Sequence, residues 1–333
     1  MKYKGILPIA VILLLFLASC SSKNVSQQKE LKKVIVANWS QPISEQTNLL
    51  VDEKKHFFQD RGLTIDLIPG EGGGDAIKNI LSGKADIAFT DPGSVYFAMN
   101  QGAKLKIIYN IYPQNVFNIV SLKKNHITRP EDLKGKRIGV YSLTSGTRQN
   151  LLVLLNQVGL SEKDVKIVET GLLNFAPLMQ GQVDATAATD TGLVTAREKG
   201  LGMVNVLNVK DYLNLPSDVF VVTEKTYNEK KKLLKKFIEA YQKSAEWMIQ
   251  QPEEAAKLAK QYAIDGKDEK RNLEIIQIRN ESSISDVTKK EGLGALDSLL
   301  LQKGADTYME LGLIQKKINM KNAVTDEFLP TPN

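Results

Sequence analysis

The chain is poor in the residues that most often carry metal or nucleophile chemistry. Its 333 residues include one cysteine, Cys20, and two histidines, His56 and His126. One cysteine excludes an internal disulfide, so the apolar core must supply the stability alone. Both histidines lie in Lys-rich, solvent-facing stretches, and neither has a partner at metal-ligand spacing. No Gly-x-Ser-x-Gly elbow occurs, so a Ser-His-Asp hydrolase has no anchor. These absences predict a protein that is not an enzyme and holds neither metal nor cofactor. A strong charge bias is also missing: 44 basic against 38 acidic residues give +6. The lysines are scattered without interleaved aromatics, which argues against a nucleic-acid partner. The apolar run Ile6–Phe16 is shorter than the ~20 residues a membrane span needs.

What the N-terminus does have is a secretory pattern. Lys2 and Lys4 precede the apolar run, which closes on Leu17-Ala18-Ser19-Cys20. A basic start, a short apolar stretch and small residues at a cleavage point read as a signal peptide over residues 1–19. Leu-Ala-Ser-Cys resembles the bacterial lipobox, in which the cysteine is diacylated and becomes the first mature residue. The expectation is lipidation at Cys20 and anchoring on the extracytoplasmic face of a membrane. Residues 20–30, rich in Ser, Asn and Gln, read as a flexible tether. The remainder is long enough for one large or two medium domains.

The body contains a doubled pattern. A β-branched strand (Val34–Ala37), an amphipathic segment (Thr47–Phe58), a second strand (Leu63–Ile68), a helix (Asp75–Leu81) and the block Gly83-Lys84-Ala85-Asp86…Thr90-Asp91 come first. About a hundred residues later come a strand (Lys136–Val140), a helix (Gln149–Val158), a strand (Val165–Val168), a helix (Asn174–Met179) and Gly181-Gln182-Val183-Asp184…Thr189-Asp190. Alternation of this kind predicts an α/β fold of two Rossmann-like, parallel-sheet lobes. Ligands of such sheets bind at the carboxyl ends of the strands. Beyond Val222 the strand signals stop. Glu229–Gln250 carries apolar residues at three- and four-residue spacing, and a helix from Pro252 to Tyr262 follows, so the C-terminal region is read as helical. A membrane-surface helix is the alternative for Glu229–Gln250, but its polar face mixes signs.

Several loops at strand ends suit a ligand. Pro69–Asp75 is glycine-rich between strand and helix, yet it misses the third glycine of the dinucleotide fingerprint and lacks a Gly-Lys-Ser/Thr. It reads as a flexible turn with Asp75 capping the helix. Tyr141–Thr147 is rich in hydroxyls ahead of a helix whose first N–H groups lack partners, a place for an anionic or carbonyl group at Ser145, Gly146 and Thr147. Capping by Ser145 or Thr144 is the plainer role. Trp39, Ser40 and Gln41 hold the equivalent place in the first half, where the indole offers a stacking face. Thr90-Asp91 and Asp190 end the third strands, where each Asp could bind ligand or cap the helix behind it. Arg148 is the sole cation read as a cleft candidate.

The stretch Ile127-Thr128-Arg129-Pro130-Glu131-Asp132-Leu133-Lys134-Gly135-Lys136-Arg137-Ile138-Gly139-Val140, the Leu81–Ala88 and Met179–Ala185 blocks, and Phe57-Phe58-Gln59-Asp60-Arg61-Gly62-Leu63 resemble the class II solute-binding proteins of ABC importers, in their nitrate, sulfonate and thiamine-precursor group. That resemblance implies the type II periplasmic binding protein fold with a ligand cleft between lobes. It implies lobe 1 at residues 31–113 and 217–333 and lobe 2 at 114–216, with crossovers near Tyr112–Phe117 and Leu215–Phe220. It adds Gln46, Tyr112 and Asn174 to the expected ligand contacts, with Gln46 where thiamine-precursor binders tend to have His. The implied partners are a small molecule, a permease and its ATPase, and the protein is expected to act as a monomer. Trp39, Tyr112 and Phe175 favour a heteroaromatic ligand such as a thiamine pyrimidine or a flavin-like compound. Alkanesulfonate binding, or a clamp that senses without importing, are the alternatives.

Overall fold

The computed structural model describes residues 31–171 and 175–330. Cys20, the signal and tether segments, and Asn174 lie outside the described residues. The strands are β1 (Lys32–Ala37), β2 (Leu63–Ile68), β3 (Ile87–Thr90), β4 (Leu105–Tyr112), β5 (Phe117–Leu122), β6 (Arg137–Val140), β7 (Lys166–Glu169), β8 (Ala185–Thr189), β9 (Val204–Asn208) and β10 (Asp218–Thr223). They form two sheets, ordered β2-β1-β3-β10-β4 and β7-β6-β8-β5-β9.

The expectation of parallel sheets is corrected at one position in each. β1 pairs in parallel with β2 and β3, but β10 runs antiparallel to β3 and β4. Likewise β6 is parallel to β7 and β8, while β5 runs antiparallel to β8 and β9. Both reversed strands enter directly from the crossing segments, without the helical crossover that a parallel neighbour would need.

Between strands the chain forms α1 (Thr47–Leu50), α2 (Asp52–Lys55), α3 (Gly73–Leu81), α4 (Pro92–Asn100), α5 (Gly146–Gln157), α6 (Ala176–Met179) and α7 (Asp190–Glu198). The amphipathic segment Thr47–Phe58 forms two short helices, the second ended by His56 in the left-handed region (φ 57°). A second left-handed residue, His126, ends a 3₁₀ turn, and both histidines are exposed. The C-terminal region is helical as expected, with α8 (Glu224–Glu229), α9 (Lys231–Gln250), α10 (Pro252–Tyr262), α11 (Glu269–Ser282), α12 (Asp286–Glu291) and α13 (Ser298–Glu310). Alternation along β1 and β10 sends Val34, Val36, Phe220 and Val222 to one face of the first sheet. There they meet Leu234, Phe237, Ile238 and Tyr241 of α9. The other face packs Ala37, Val219 and Val221 against α3, α4 and α13. The amphipathic α9 therefore buries its apolar stripe in the protein.

The duplicated Gly-x-x-Asp blocks share a structural job. Asp86 accepts from the Ile35 amide of β1 at 2.9 Å, and Asp184 accepts from the Arg137 amide of β6 at 2.8 Å. Each aspartate thereby ties its own loop to the parallel strand beside it, Asp86 at the middle of β1 and Asp184 at the start of β6.

Two crossing segments join the sheets and are bonded to each other. Asn115 N–H donates to Asn214 Oδ1 at 2.9 Å, Val116 N–H to Ser217 Oγ at 2.9 Å, and Ser217 N–H to the Tyr112 carbonyl at 2.8 Å. Short crossing segments of this kind are where a two-lobed protein bends.

Candidate functional site

The carboxyl ends of both sheets' central strands face one cavity of about 370 Å³. That is within the ~300–1,000 Å³ common for small-molecule sites. Its apolar walls include Trp39 from the first lobe and Phe117, Tyr141 and Phe175 from the second. Trp39 is set on edge to Phe89 and Tyr141, with ring centroids 6.5 and 6.3 Å away. Its indole Nε1 is buried without a partner among the described residues.

The expected site residues separate into three groups. Trp39, Asp91, Ser145, Gly146 and Thr147 line the cavity. Ser40, Gln46 and Thr90 are buried and lie outside its lining: Gln46 exchanges hydrogen bonds with Asn38 (2.5 and 3.2 Å), Ser40 donates to the Gln41 carbonyl at 2.7 Å, and Thr90 donates to the Gly73 carbonyl at 3.0 Å. Gln41 also stands outside the lining. Tyr112 and Asp190 act one step removed, both on Arg279.

Arg279 of α11 is the cation that the sequence reading placed elsewhere. It is 1% exposed. Its Nε donates to Glu45 at 3.1 Å, Nη1 to Asp190 at 2.6 Å and Nη2 to Thr191 Oγ1 at 2.8 Å, while Tyr112 lies under the guanidinium at 5.2 Å. Arg148, the expected cleft cation, instead pairs with Glu162 at 2.5 Å and is absent from the lining. Burial works against the Arg279 charge, but Asp190 and Glu45 outweigh it and hold its pKa above the ordinary value. Glu45 is pushed up by burial despite Arg279 beside it.

Four acidic groups line the cavity, Glu45, Asp91, Asp218 and Asp265, and Lys199 lines it as a second cation beside Arg279; Asp265 accepts from Ser44 N–H at 2.8 Å and Ser44 Oγ at 2.7 Å. Asp91 caps α4, accepting from Ser94 N–H at 2.9 Å and Ser94 Oγ at 2.7 Å. In the second lobe the cap is Thr189, which accepts from Gly192 N–H at 3.4 Å, so Asp190 is free to reach Arg279. Burial pushes both Asp91 and Asp218 up, Asp218 well above its ordinary value, with Glu45 and Asp91 adding to its shift. Raised carboxylates bind protons more tightly folded than unfolded, so stability should fall as pH rises through the window above their unfolded values of about 4. Urea midpoints measured between pH 5 and 8 check this, and a stability that rises with pH across that window would contradict it.

The hydroxyl loop is used differently from a simple cap. Ser145 holds the N-cap position of α5 but makes no capping bond. Its Oγ donates to the Ser142 carbonyl at 2.7 Å, and Thr147 Oγ1 accepts from Tyr141 N–H at 3.0 Å. The first amides of α5 are left without a side-chain cap where Gly146 and Thr147 line the cavity.

The glycine run is likewise structural. α3 starts at Gly73 with Gly72 (φ 129°) at the N-cap, so Asp75 is not the cap. Asp75 accepts instead from Glu71 N–H at 3.2 Å. Across the cleft, Gly74 N–H donates to the Thr144 carbonyl at 3.0 Å and Tyr141 Oη to the Gly70 carbonyl at 3.3 Å. Ser142 Oγ donates to the Glu71 carbonyl. With Gln149 Nε2 donating to Ser94 Oγ at 2.9 Å and Thr191 to Glu45 at 2.9 Å, these bonds hold the two lobes closed over the cavity.

Residues 43–255 match the family described as NMT1/THI5 like. The chain belongs to that family. It is 27% identical over 248 residues to the riboflavin-binding protein RibY of Chloroflexus aurantiacus, spanning 73% of this chain and 70% of the relative. It is 24% identical over 285 residues to the formylaminopyrimidine-binding protein of Halalkalibacterium halodurans, spanning 84% of each. The alkanesulfonate-binding protein SsuA of Xanthomonas axonopodis pv. citri superposes with a TM-score of 0.70 at 17% identity, covering 89% of this chain and 99% of that one. The periplasmic nitrate-binding protein NrtA of Synechocystis PCC 6803 superposes at 0.66 and 10% identity, covering 90% and 87%. The NMT1/THI5-like chain thus has the two-lobed periplasmic binding protein fold expected from its sequence. Glu45, Lys199, Asp218, Asp265 and Arg279 are the charged site residues that sequence reasoning missed. A signal for Arg279 existed: it shares the helical stripe 272, 275, 276, 279 with Ile275 and Ile276, and a charge on a buried stripe asks for a partner.

Proposed function

We propose that the chain is an extracytoplasmic solute-binding protein, anchored by lipid at Cys20, which captures a planar heteroaromatic vitamin or precursor and presents it to an ABC-type permease. The two lobes, residues 31–113 with 217–333 and residues 114–216, act as jaws, and the closed form is what the permease meets. The observation that carries this reading is the enclosed cavity between the lobes, walled by Trp39, Phe117, Tyr141 and Phe175. Flat aromatic walls with a few polar groups suit a ring that is stacked on its faces and bonded at its edges. Binding one ring-sized molecule inside one chain needs no second copy, so the monomer is the working unit. His56 and His126 lie exposed outside the cavity, so the reading is capture and not catalysis. The family relatives named for riboflavin and formylaminopyrimidine support a ring as cargo.

Trp39→Ala should weaken binding of the ring by about 1–3 kcal/mol, the loss of one aromatic wall. Wild-type tryptophan emission should change on titration, because Trp39 lines the cavity while the second tryptophan, Trp247, packs on Phe57 and Lys55. Calorimetry showing tight binding of an aliphatic sulfonate and no heat with pyrimidines or flavins would defeat the aromatic reading. For the anchor, wild type should enter the detergent phase on phase separation and Cys20→Ser should not. Equal partitioning of both into water removes the lipid from the account.

A further inference from the structure

Lysines that lie scattered in the sequence meet at one edge of the first lobe. The parallel strands β1, β2 and β3 begin there at Lys32, Leu63 and Ile87, and β10 ends beside the start of β4, where Thr223 pairs with Leu105. This edge is opposite the carboxyl ends that face the cavity. Its loops are tied together. Lys32 N–H donates to the Gly62 carbonyl at 2.9 Å and Glu224 N–H to the Lys104 carbonyl at 3.0 Å. Lys230 pairs with Asp86 at 2.6 Å, and Lys236 Nζ donates to the Arg61 carbonyl at 3.1 Å. Around these contacts Lys32, Lys84, Lys104, Lys225, Lys232 and Lys235 are exposed and have no ion pair among the described residues. Of the acidic residues at this edge, Asp66, Asp86, Glu239 and Glu327 are taken by Lys33, Lys230, Arg61 and Lys231. Only Asp60, Glu224 and Glu229 are left against the six lysines. Tyr227 sits among the cations, with Lys231 and Lys106 over its ring at 4.5 and 5.3 Å. Leu31, exposed, opens the described chain at the same edge.

Resting on the lipid anchor proposed above, we propose that this edge is a membrane-docking face, and that its partner is a lipid surface carrying anionic phosphodiester headgroups. Residues 20–30 separate Leu31 from Cys20 and can span at most about 40 Å. A lipid at Cys20 therefore holds this edge near the headgroups, and the lysines meet them at high effective concentration. Each lysine close to an anionic surface is worth roughly fivefold in binding. The long lysine stem carries its ammonium to the phosphate level, and a tyrosine ring belongs at the same depth. The amino edge of the second lobe also exposes lysines, Lys134, Lys163 and Lys166, but the chain from Cys20 enters the first lobe and does not lead there. With the amino ends of β1, β2 and β3 on the membrane, the cavity at their carboxyl ends lies on the side away from it, where solute arrives. The face thus adds orientation to an anchor that already supplies attachment.

The test is co-sedimentation of the mature chain, residues 20–333 with Cys20→Ser to remove the lipid, with two kinds of vesicle. One is phosphatidylglycerol and phosphatidylcholine in equal parts, the other phosphatidylcholine alone. The expected result is binding to the mixed vesicles only, lost at high salt. Adding Lys225→Gln, Lys232→Gln and Lys235→Gln together should weaken binding at least about tenfold. The melting temperature should not change, because the three side chains are exposed and unpaired. Lys134→Gln, Lys163→Gln and Lys166→Gln together, in the second lobe, should leave vesicle binding as it was. No binding to the mixed vesicles, equal binding to both kinds, or equal losses in the two triple variants would overturn the inference. Binding of soluble inorganic polyphosphate without binding of vesicles also overturns it, since the face then reads polyanions in solution. The anchor is judged separately by detergent partition. If the lipid-free chain binds mixed vesicles while wild type stays in the aqueous phase, the docking face stands and lipidation at Cys20 does not.

Discussion

Gly74→Ala is expected to weaken ligand binding about 5- to 100-fold while leaving the ligand-free protein as stable as before, or more so. An alanine Cβ at this position would lie 2.8 Å from Thr144 Cβ and 3.2 Å from the Thr144 carbonyl oxygen. Thr144 belongs to the opposite lobe, so the clash exists only when the lobes are closed. Overpacking of this kind costs about 1–3 kcal/mol, and here the closed state alone bears it. Ligand contacts both lobes in that state, so its affinity falls by the same amount. In the open state Gly74 lies in the first turn of a helix without a left-handed φ, and alanine there restricts the unfolded chain, worth about 0.4–1 kcal/mol of stability. Calorimetry with thermal melting checks both signs. A lowered ligand-free midpoint with unchanged affinity would contradict the assignment of this glycine to closure.

Arg279→Met should have the largest effect on stability. It leaves Glu45 buried without its cation and releases Asp190 and Thr191 across the cleft. Removing one partner of a buried ion pair typically costs about 3–5 kcal/mol. Adding Glu45→Gln to the same chain should recover much of that loss, since no uncompensated charge then remains. Denaturant unfolding of the two single variants and the double variant measures the coupling. Additive losses would show that Glu45 and Arg279 do not act as a pair.

The architecture was legible because both halves repeat the same alternation of strand and helix, and the repeated aspartates Asp86 and Asp184 fix equivalent strands. Strand direction was not legible at β5 and β10. Periodicity reports which faces of a strand are buried, and it says nothing of whether a distant neighbour runs up or down. The glycine run Gly70–Gly74 was visible but its purpose was not. What it permits is close approach: a Cβ at Gly70 would meet the Asn38 carbonyl oxygen at 2.2 Å, and one at Gly72 would meet Ser142 Oγ at 2.8 Å. Such contacts join residues far apart in the chain. The aromatic wall at Trp39 and the loop at Ser145–Thr147 could be found from their places at strand ends. Arg279 could not be found that way, because α11 follows no strand and reaches the cavity only through the packing of the C-terminal helices.

The central claim is that these lobes close on a bound ring compound. Spin labels at Lys84 and Lys163, both exposed and placed on different lobes, in a chain whose Cys20 is replaced, would report the distance across the cleft by pulsed electron resonance. The account predicts a longer or broader distance distribution without ligand that collapses to a single short distance when the ring ligand identified by calorimetry saturates the protein. In Gly74→Ala the distribution should stay long at the same ligand concentration. One unchanged distance in all three samples would mean that the cavity is a rigid compartment, and the clamp mechanism would be wrong.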